Sequence, residues 1–132
     1  MLNPGGVALT LSGHYSAVVQ IAWSMDGQEV VTISRDGVAK IWDTQTGALI
    51  WNEAGHDNEV LRAAWSPQGK DIVIIRKNGK ATVLDTRNGT TRLTLGGIIE
   101  AVWSPDGQRI AAAAQDQMTN IWDIQSGKNY SP

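Results

Sequence analysis

The sequence contains no cysteine among its 132 residues. This absence excludes a disulfide framework, a thiolate metal site and a cysteine nucleophile. It also fits a reducing compartment, and we expect the protein to be cytoplasmic. No apolar run approaches the roughly 20 residues that a membrane-spanning helix needs, and residues 1–12 lack the basic segment and apolar core of a secretory signal. We therefore expect a soluble protein with no membrane partner.

An excess of charge of one sign is also missing. Eleven lysines and arginines and 13 aspartates and glutamates give a formal net charge of -2, and they are spread along the whole sequence. No basic stripe is present to contact a phosphate backbone, so nucleic-acid binding is disfavoured. The sequence has no Cys/His cluster, glycine-rich phosphate loop or nucleophile motif. We therefore expect no catalytic residue, no metal and no cofactor.

What the sequence does contain is an internal repeat. The tetrapeptide Ile21-Ala22-Trp23-Ser24 recurs as Ala63-Ala64-Trp65-Ser66 and again as Ala101-Val102-Trp103-Ser104. Gly13-His14 likewise recurs as Gly55-His56. A period of about 40 residues indicates a repeated structural unit, each copy of which needs its neighbours to bury its apolar surface.

Turns and β-rich runs alternate within each copy. Each recurring tryptophan is followed by an Asp-Gly or Pro-x-Gly turn, the dipeptides that favour a hairpin. The next segments are rich in β-branched and small apolar residues, and second turns lead into strands that end with an aspartate. The segments that follow the first turns span residues 29–34, 71–75 and 109–114, and the later strands end at residues 41–43, 83–85 and 121–123. With no helical period anywhere, the sequence predicts an all-β protein.

The predicted strands also indicate how the sheets pack. The run Ile72-Val73-Ile74-Ile75 is apolar on both sides, which is typical of a strand covered on both faces in stacked sheets. We interpret Trp23, Trp65 and Trp103 as core residues between such sheets, not as a ligand cage.

On these residues the sequence resembles the WD-repeat (WD40) family of β-propellers. The first repeat carries Gly13-His14, Asp26-Gly27, Ser34-Arg35-Asp36-Gly37 and Ile41-Trp42-Asp43 in the family's order and spacing. The resemblance implies a partial β-propeller of three four-stranded antiparallel blades with strands a to d. It divides the chain into a lone strand d over 7–12, repeat 1 over 13–54, repeat 2 over 55–96, and repeat 3 over 97–132 without its own strand d. The N-terminal strand d would then be able to complete a blade by strand exchange.

The resemblance also implies a hydrogen-bonded chain of histidine, serine or threonine, aspartate and tryptophan across a blade. The matching residues of repeat 1 are His14, Ser34, Asp36 and Trp42. Repeat 2 keeps His56 but has Arg76, Asn78 and Leu84 at the other positions, whereas repeat 3 keeps Asp116 and Trp122 but has Ala114 and lacks the histidine. We therefore expect a complete network in the first repeat alone, and packing to hold the other two.

Family members often bind partners on the rim that carries the Gly-His loops. The residues that the resemblance assigns to this candidate rim are Ala17, Val19, Arg35, Glu59, Leu61, Lys77, Ile99 and Gln115. Mixed apolar and charged side chains suit contact with a protein or peptide, and the matching positions of Arg35 and Lys77 favour an acidic segment. The alternative is that these are ordinary solvated loop residues.

Three functions remain open from the sequence. The first is a scaffold or sensor module that binds proteins and has no catalytic role. The second is a propeller enzyme or small-ligand binder at a central channel, which would need polar clusters on the inner strands 18–23, 60–65 and 98–103, and these are mostly apolar. The third is a structural fragment that only completes a longer propeller.

The number of repeats raises the question of closure. Known propellers have about four to eight blades, so three blades would leave two apolar faces exposed. We expect either a piece of a longer propeller or self-association, for example of two chains that give six blades.

Overall fold

A computed structural model describes residue 6 and residues 9–53, 59–68 and 71–126. All of its regular elements are strands, which confirms the predicted all-β class. Among these residues no helix is long and apolar enough to cross a membrane. The strands are β1 (Val18–Trp23), β2 (Glu29–Ser34), β3 (Ala39–Asp43), β4 (Leu49–Glu53), β5 (Val60–Trp65), β6 (Asp71–Arg76), β7 (Ala81–Asp85), β8 (Thr90–Leu95), β9 (Ile98–Trp103), β10 (Arg109–Ala114) and β11 (Thr119–Asp123).

The strands form three antiparallel sheets in chain order. β1 to β4 make the first sheet, β5 to β8 the second, and β9 to β11 the third, which has three strands among the described residues. The first strands of neighbouring sheets also contact each other, β1 with β5 and β5 with β9. Sheets stacked side by side in this way, with their first strands together, form part of a β-propeller, and each sheet is one blade.

Apolar clusters fill the two spaces between the blades. Ile72 and Ile74 of β6 belong to the cluster shared with blade 1, whereas Val73 and Ile75 belong to the cluster shared with blade 3. Successive side chains of a strand point to opposite faces, so β6 is buried on both sides. The apolar run in the middle repeat is therefore a strand between two neighbours, as the sequence predicted.

The hairpin turns at one end of the blades are held by serine and aspartate side chains. The Ser24 hydroxyl donates to Asp26 Oδ1 over 2.7 Å, and the backbone N–H of Gln28 donates to the same oxygen over 3.0 Å. Ser104 and Asp106 form the same 2.7 Å hydrogen bond in blade 3. These side chains replace hydrogen bonds that the turn backbone cannot make within the sheet.

The N-terminal segment differs from its prediction. Residues 9–12 are not part of a strand, and residues 7 and 8 lie outside the described residues. A strand d pairs with the strand c of its own blade, and among the described residues no strand lies ahead of blade 1 to pair with residues 9–12. The segment instead lies against blade 1, where the Leu9 side chain lies beside Gly47 and Gly13 lies beside the Trp42 ring.

Candidate functional site

The candidate rim is built from the same backbone contact in each blade. We call the first strand of each blade (β1, β5 or β9) strand a and the second (β2, β6 or β10) strand b. In each blade the residue just after strand b donates its N–H to the carbonyl of the residue just before strand a. The three hydrogen bonds are Arg35 to Ala17 at 2.7 Å, Lys77 to Glu59 at 2.7 Å, and Gln115 to Gly97 at 2.8 Å. In blades 1 and 2 these hydrogen bonds bring together predicted rim residues from distant positions of the sequence, and in blade 3 the bond joins the predicted Gln115 to Gly97.

A β-bulge next to each pair places an aliphatic side chain on the same rim. The register between strands a and b skips one residue in every blade, and the skipped residues are Val19, Leu61 and Ile99. Their side chains are 55%, 47% and 50% exposed. A bulge bends its strand and redirects the side chain of the extra residue. Each blade thus presents one exposed aliphatic residue at an equivalent place.

The charge of the rim is uneven. Arg35, Lys77 and Gln115 are exposed at equivalent positions after their strands, so two neighbouring blades present a cation and the third a neutral amide. Glu59 is half-buried beside the Gly37 turn of blade 1. All eight predicted rim residues are described, and seven of them are exposed.

Polar residues on the inner strands β1, β5 and β9 form a second cluster, which the sequence did not predict. Arg62 Nη1 lies 2.8 Å from Glu100 Oε2, and Gln20 Nε2 donates to the Ala63 carbonyl over 2.7 Å. Gln20, Arg62 and Glu100 occupy equivalent positions in the three repeats. A polar residue at the same position of three otherwise apolar strands is the sequence feature that could have predicted this cluster. They border a cavity of about 470 Å³ beside Leu61. The Arg62–Glu100 ion pair joins blades 2 and 3, and the Gln20 hydrogen bond joins blades 1 and 2.

The polar network of blade 1 uses a different hydroxyl from the one that the sequence predicted. Thr32 Oγ1 accepts the indole N–H of Trp42 over 2.8 Å and is hydrogen-bonded to His14 Nε2 at 2.5 Å. The His14 and Trp42 rings meet edge to face with centroids 6.2 Å apart. Burial lowers the pKa of His14, and the Lys40 charge lowers it further, while Asp36 opposes them. Neutral His14 is therefore part of a buried structural centre.

Ser34 and Asp36 form a separate pair, which corrects the predicted chain of four residues. The Ser34 hydroxyl donates to Asp36 Oδ1, and His14 Nδ1 is buried without a hydrogen-bond partner among the described residues. The physical reason is the strand register. Trp42 pairs with Val30, and the next residue on the same face is Thr32, whereas Ser34 lies about 13 Å along the strand from Val30.

The same register corrects the predicted equivalents in the other blades. Trp122 pairs with Ile110, so the residue of blade 3 at the position of Thr32 is Ala112, whereas the predicted Ala114 corresponds to Ser34. In blade 2 Leu84 pairs with Ile72, so the residue at the position of Thr32 is Ile74, whereas the predicted Arg76 corresponds to Ser34. Ile74 and Leu84 belong to the same buried cluster. Neither alanine nor isoleucine has a hydroxyl, and the buried Trp122 Nε1 accordingly has no hydrogen-bond partner among the described residues.

The remaining predicted network residues have other places. Asp116 accepts the backbone N–H of Met118 over 2.9 Å, so its carboxylate closes the turn between β10 and β11. Asn78 Oδ1 does the same for the N–H of Lys80, also at 2.9 Å. His56 lies outside the described residues.

Repeat-equivalent aspartates at the ends of the third strands accept hydrogen bonds. Asp43 and Asp123 each accept two backbone N–H groups of the turn that follows, which lowers the pKa of both carboxyls. Asp85 is buried between Arg87, at 3.2 Å, and Arg92, at 2.8 Å. Hydrogen bonds from these arginines lower the pKa of Asp85 to about 2. No group of three or more metal-ligating side chains is assembled within the described ranges.

The comparison with protein families agrees with this geometry. Three stacked antiparallel sheets with recurring inner tryptophans define a partial β-propeller. The family model described as WD domain, G-beta repeat, matches residues 5–43 and 89–123, together more than half of the chain. The chain therefore belongs to the WD-repeat (WD40) family.

Short stretches of the chain are similar to parts of much larger proteins. The vegetative incompatibility protein HET-E-1 of Podospora anserina is 53% identical over 38 residues, which are 29% of this chain and 3% of that protein. Coronin-7 of Homo sapiens is 35% identical over 46 residues, 35% of this chain and 5% of coronin-7. The periodic tryptophan protein 2 homolog of Mus musculus is 44% identical over 39 residues, 30% and 4% of the two chains. The matches thus span a few per cent of these relatives.

The fold is similar to that of a solved structure, the structure of U3-55K. The TM-score is 0.77 at 14% sequence identity, and the likeness covers 92% of this chain and 40% of that one. At this identity the likeness concerns the fold alone.

Proposed function

We propose that this chain is a non-catalytic protein-interaction module whose partner binds at the rim defined by Ala17, Val19, Arg35, Glu59, Leu61, Lys77, Ile99 and Gln115. The WD-repeat propeller fold is typical of protein-interaction scaffolds. One observation carries the proposal for the rim: each blade holds an exposed aliphatic residue in a β-bulge at an equivalent place.

The rim is suited to a partner because its backbone is fixed before binding. The bulge residues lie in strands, and the hydrogen bonds from Arg35, Lys77 and Gln115 tie the neighbouring loops to those strands. A surface that is already ordered loses less conformational entropy on association than a mobile loop does. Exposed aliphatic side chains on such a frame give a partner apolar surface to bury.

The charges of the rim favour a partner with acidic residues. Arg35 and Lys77 are exposed on adjacent blades, and an arginine can hold a carboxylate through two parallel hydrogen bonds. Charge complementarity contributes most to the rate of association and to the choice of partner. We therefore expect the partner to be a segment in which acidic residues flank one or more apolar residues.

The non-catalytic part of the proposal is supported by what the carboxylates do. Hydrogen bonds from a serine hydroxyl and a backbone N–H lower the pKa of Asp26 and of Asp106. Backbone N–H groups of the following turn lower the pKa of Asp43 and of Asp123. A general acid or base at neutral pH needs a pKa shifted towards 7 instead. Structural roles in turns therefore account for these repeat-equivalent residues.

The test uses an array of short peptides in which aspartate and glutamate flank leucine or phenylalanine, with matched peptides that carry lysine in place of the acids. The wild-type chain should bind acidic peptides in preference to basic ones. Arg35→Glu and Lys77→Glu should each weaken that binding about tenfold, which is roughly 1.4 kcal/mol. Leu61→Ser should weaken binding without changing the preference for acidic peptides.

The matched control is Arg109→Glu. It makes the same change in net charge at an exposed arginine, but Arg109 begins β10, at the opposite end of strand b from the rim. This variant should bind like the wild type. Binding that is indifferent to peptide charge, or that survives both Arg35→Glu and Lys77→Glu, contradicts the proposal.

A further inference from the structure

The first and last blades each have an apolar face that the described residues leave uncovered. We define the front face of a blade as the side towards the preceding blade and the back face as the side towards the following one. On the front face of blade 1, Ile21 is 64% and Trp23 62% exposed. On the back face of blade 3, Val102 is 62% and Ile121 39% exposed. Equivalent residues between the blades are covered.

A recurring hydrogen bond identifies what each uncovered face lacks. The indole N–H of Trp65 donates to the Ala22 carbonyl of the preceding blade over 3.0 Å. The indole N–H of Trp103 donates to the Ala64 carbonyl over 2.9 Å. In the repeat, the donor equivalent to these is Trp23, on the front face of blade 1. The equivalent acceptor is the Val102 carbonyl, on the back face of blade 3.

A backbone hydrogen bond between blades has the same pattern. The N–H of Val60 donates to the Gly37 carbonyl over 2.9 Å, and that of Ile98 donates to the Gly79 carbonyl over 2.8 Å. The equivalent donor on blade 1 is the Val18 N–H, and the equivalent acceptor on blade 3 is the Gln117 carbonyl. Gln117 has a φ of 73°, close to the 82° and 89° of the two glycines, although it is not a glycine. Its peptide group thus has the same local conformation as the two that already accept such a bond.

The side-chain sizes on the two uncovered faces are complementary. Blade 1 has Ile21 where the front faces of blades 2 and 3 have Ala63 and Ala101, both buried in the clusters between blades. Blade 3 has the reverse difference on its back face. There Ala111 and Ala113 stand where blade 1 has Val31 and Ile33 and blade 2 has Val73 and Ile75. A large residue on one face thus complements small residues on the other. The two faces together carry about the same side-chain volume as the faces that already pack between the blades.

We propose that two copies of this chain associate head to tail, with the front face of blade 1 of each copy packed on the back face of blade 3 of the other. The association makes two identical interfaces and closes a ring of six blades, within the range of about four to eight that propellers adopt. In each interface the Trp23 indole donates to the Val102 carbonyl of the other copy, and Ile21 packs over Ala111 and Ala113. The occupant is a second copy because this chain carries both complementary faces. The proposal does not rest on binding at the rim.

One corner of the interface is crowded. A Cβ added at Gly37 would lie 2.8 Å from Glu59 Cα, and Gln117 carries a Cβ at the equivalent position. The residue of the other copy that would face it is Ala17, the equivalent of Glu59. The two copies must therefore separate slightly at this corner, and Gln117→Gly should tighten the association.

The test is sedimentation velocity on the full chain over a wide range of concentrations. We expect a discrete species of twice the chain mass of 14.2 kDa at high concentration that dissociates on dilution. Ile21→Lys and Val102→Asp should each give monomers, because each places an unpaired charge in both interfaces. Both side chains are more than half exposed in the single chain, so the blades should still fold, which far-UV circular dichroism checks.

Mixing the two variants gives the sharpest outcome. A mixture of Ile21→Lys and Val102→Asp chains has one unaltered interface and one in which lysine faces aspartate, so dimers should reappear. The control Thr94→Lys adds the same positive charge as Ile21→Lys, but at an exposed residue of β8 in the middle blade. It should leave the dimer unchanged. A monomer at every concentration, a species larger than a dimer, or a dimer that survives both single substitutions overturns the proposal.

Discussion

At the scale of single residues, Thr32 holds the polar centre of the first blade together. Its side chain is 6% exposed and lies between the Trp42 indole and the His14 ring. Replacing it with valine keeps the shape but leaves two buried polar groups without their partner. We expect Thr32→Val to lower the free energy of unfolding by about 1–3 kcal/mol, measured by urea denaturation.

The matched control for Thr32 is Ser34→Ala, two residues along the same strand. Ser34 is equally buried, but its partner Asp36 is exposed and can be hydrated when the hydroxyl is lost. The loss of stability should therefore be smaller than for Thr32→Val. Equal losses for the two variants would mean that Thr32 has no special place in the blade.

The difference between Thr32 and Ser34 also shows where sequence reasoning stops. The sequence predicted His14 and Trp42 correctly as network members, but it assigned the hydroxyl to Ser34. Both hydroxyls lie on the same face of β2, because residues two apart in a strand point the same way. Only the pairing of Trp42 with Val30 distinguishes them, and a single sequence does not contain that register.

At the scale of elements, the turn at Gly37 determines how closely blades 1 and 2 approach. Gly37 has a φ of 82°, and a Cβ there would lie 2.3 Å from Glu59 Cβ and 2.8 Å from Glu59 Cα. Gly37→Ala therefore adds a clash with backbone of the next blade to the strain of a left-handed alanine. We expect a loss of roughly 2–4 kcal/mol in the free energy of unfolding.

Gly27 separates the two contributions to that loss. Its φ is 74°, but nothing lies within 4 Å of a Cβ built there. Gly27→Ala should thus cost only the backbone strain, about 1 kcal/mol. If the two substitutions destabilise the protein equally, blades 1 and 2 are not in close contact at Gly37.

The strands themselves were the most predictable part of the fold. β1, β5 and β9 begin and end at the predicted residues, since the recurring tryptophans and the turns after them define the same boundaries in the sequence. The bulges at Val19, Leu61 and Ile99 were not predicted. An extra residue in one strand is defined relative to its partner strand, and the period of the side chains within a strand does not reveal it. The sequence proposed these positions as a candidate rim, but it did not reveal the bulges that expose Val19, Leu61 and Ile99.

At the scale of the whole molecule, aspartates couple stability to pH. The carboxyls whose pKa is lowered by hydrogen bonds are Asp26, Asp36, Asp43, Asp85, Asp106 and Asp123. A lowered pKa in the folded chain gives stability that is present above the unfolded value of about 4 and is lost as the pH falls through the folded value. Burial lowers the pKa of His14 as well, so its ionisation disfavours the fold below about pH 6.5. Glu29 acts in the opposite direction, because desolvation raises its pKa.

Asp85 should dominate the acid limb of the stability curve. Its pKa of about 2 corresponds to roughly 2 kcal/mol of stability at neutral pH, and its side chain is buried between two arginines. Asp85→Asn should destabilise the protein by about this amount at pH 7, and the difference from wild type should shrink between about pH 4 and pH 2 as the native carboxyl is protonated. Urea denaturation at a series of pH values measures it. Asp43→Asn, at the equivalent position of blade 1, should have a smaller effect, because Asp43 is more exposed and, among the described residues, accepts hydrogen bonds only from its own turn. A difference between Asp85→Asn and wild type that stays constant down to pH 2 would mean that the arginines stabilise the blade without holding a charged Asp85.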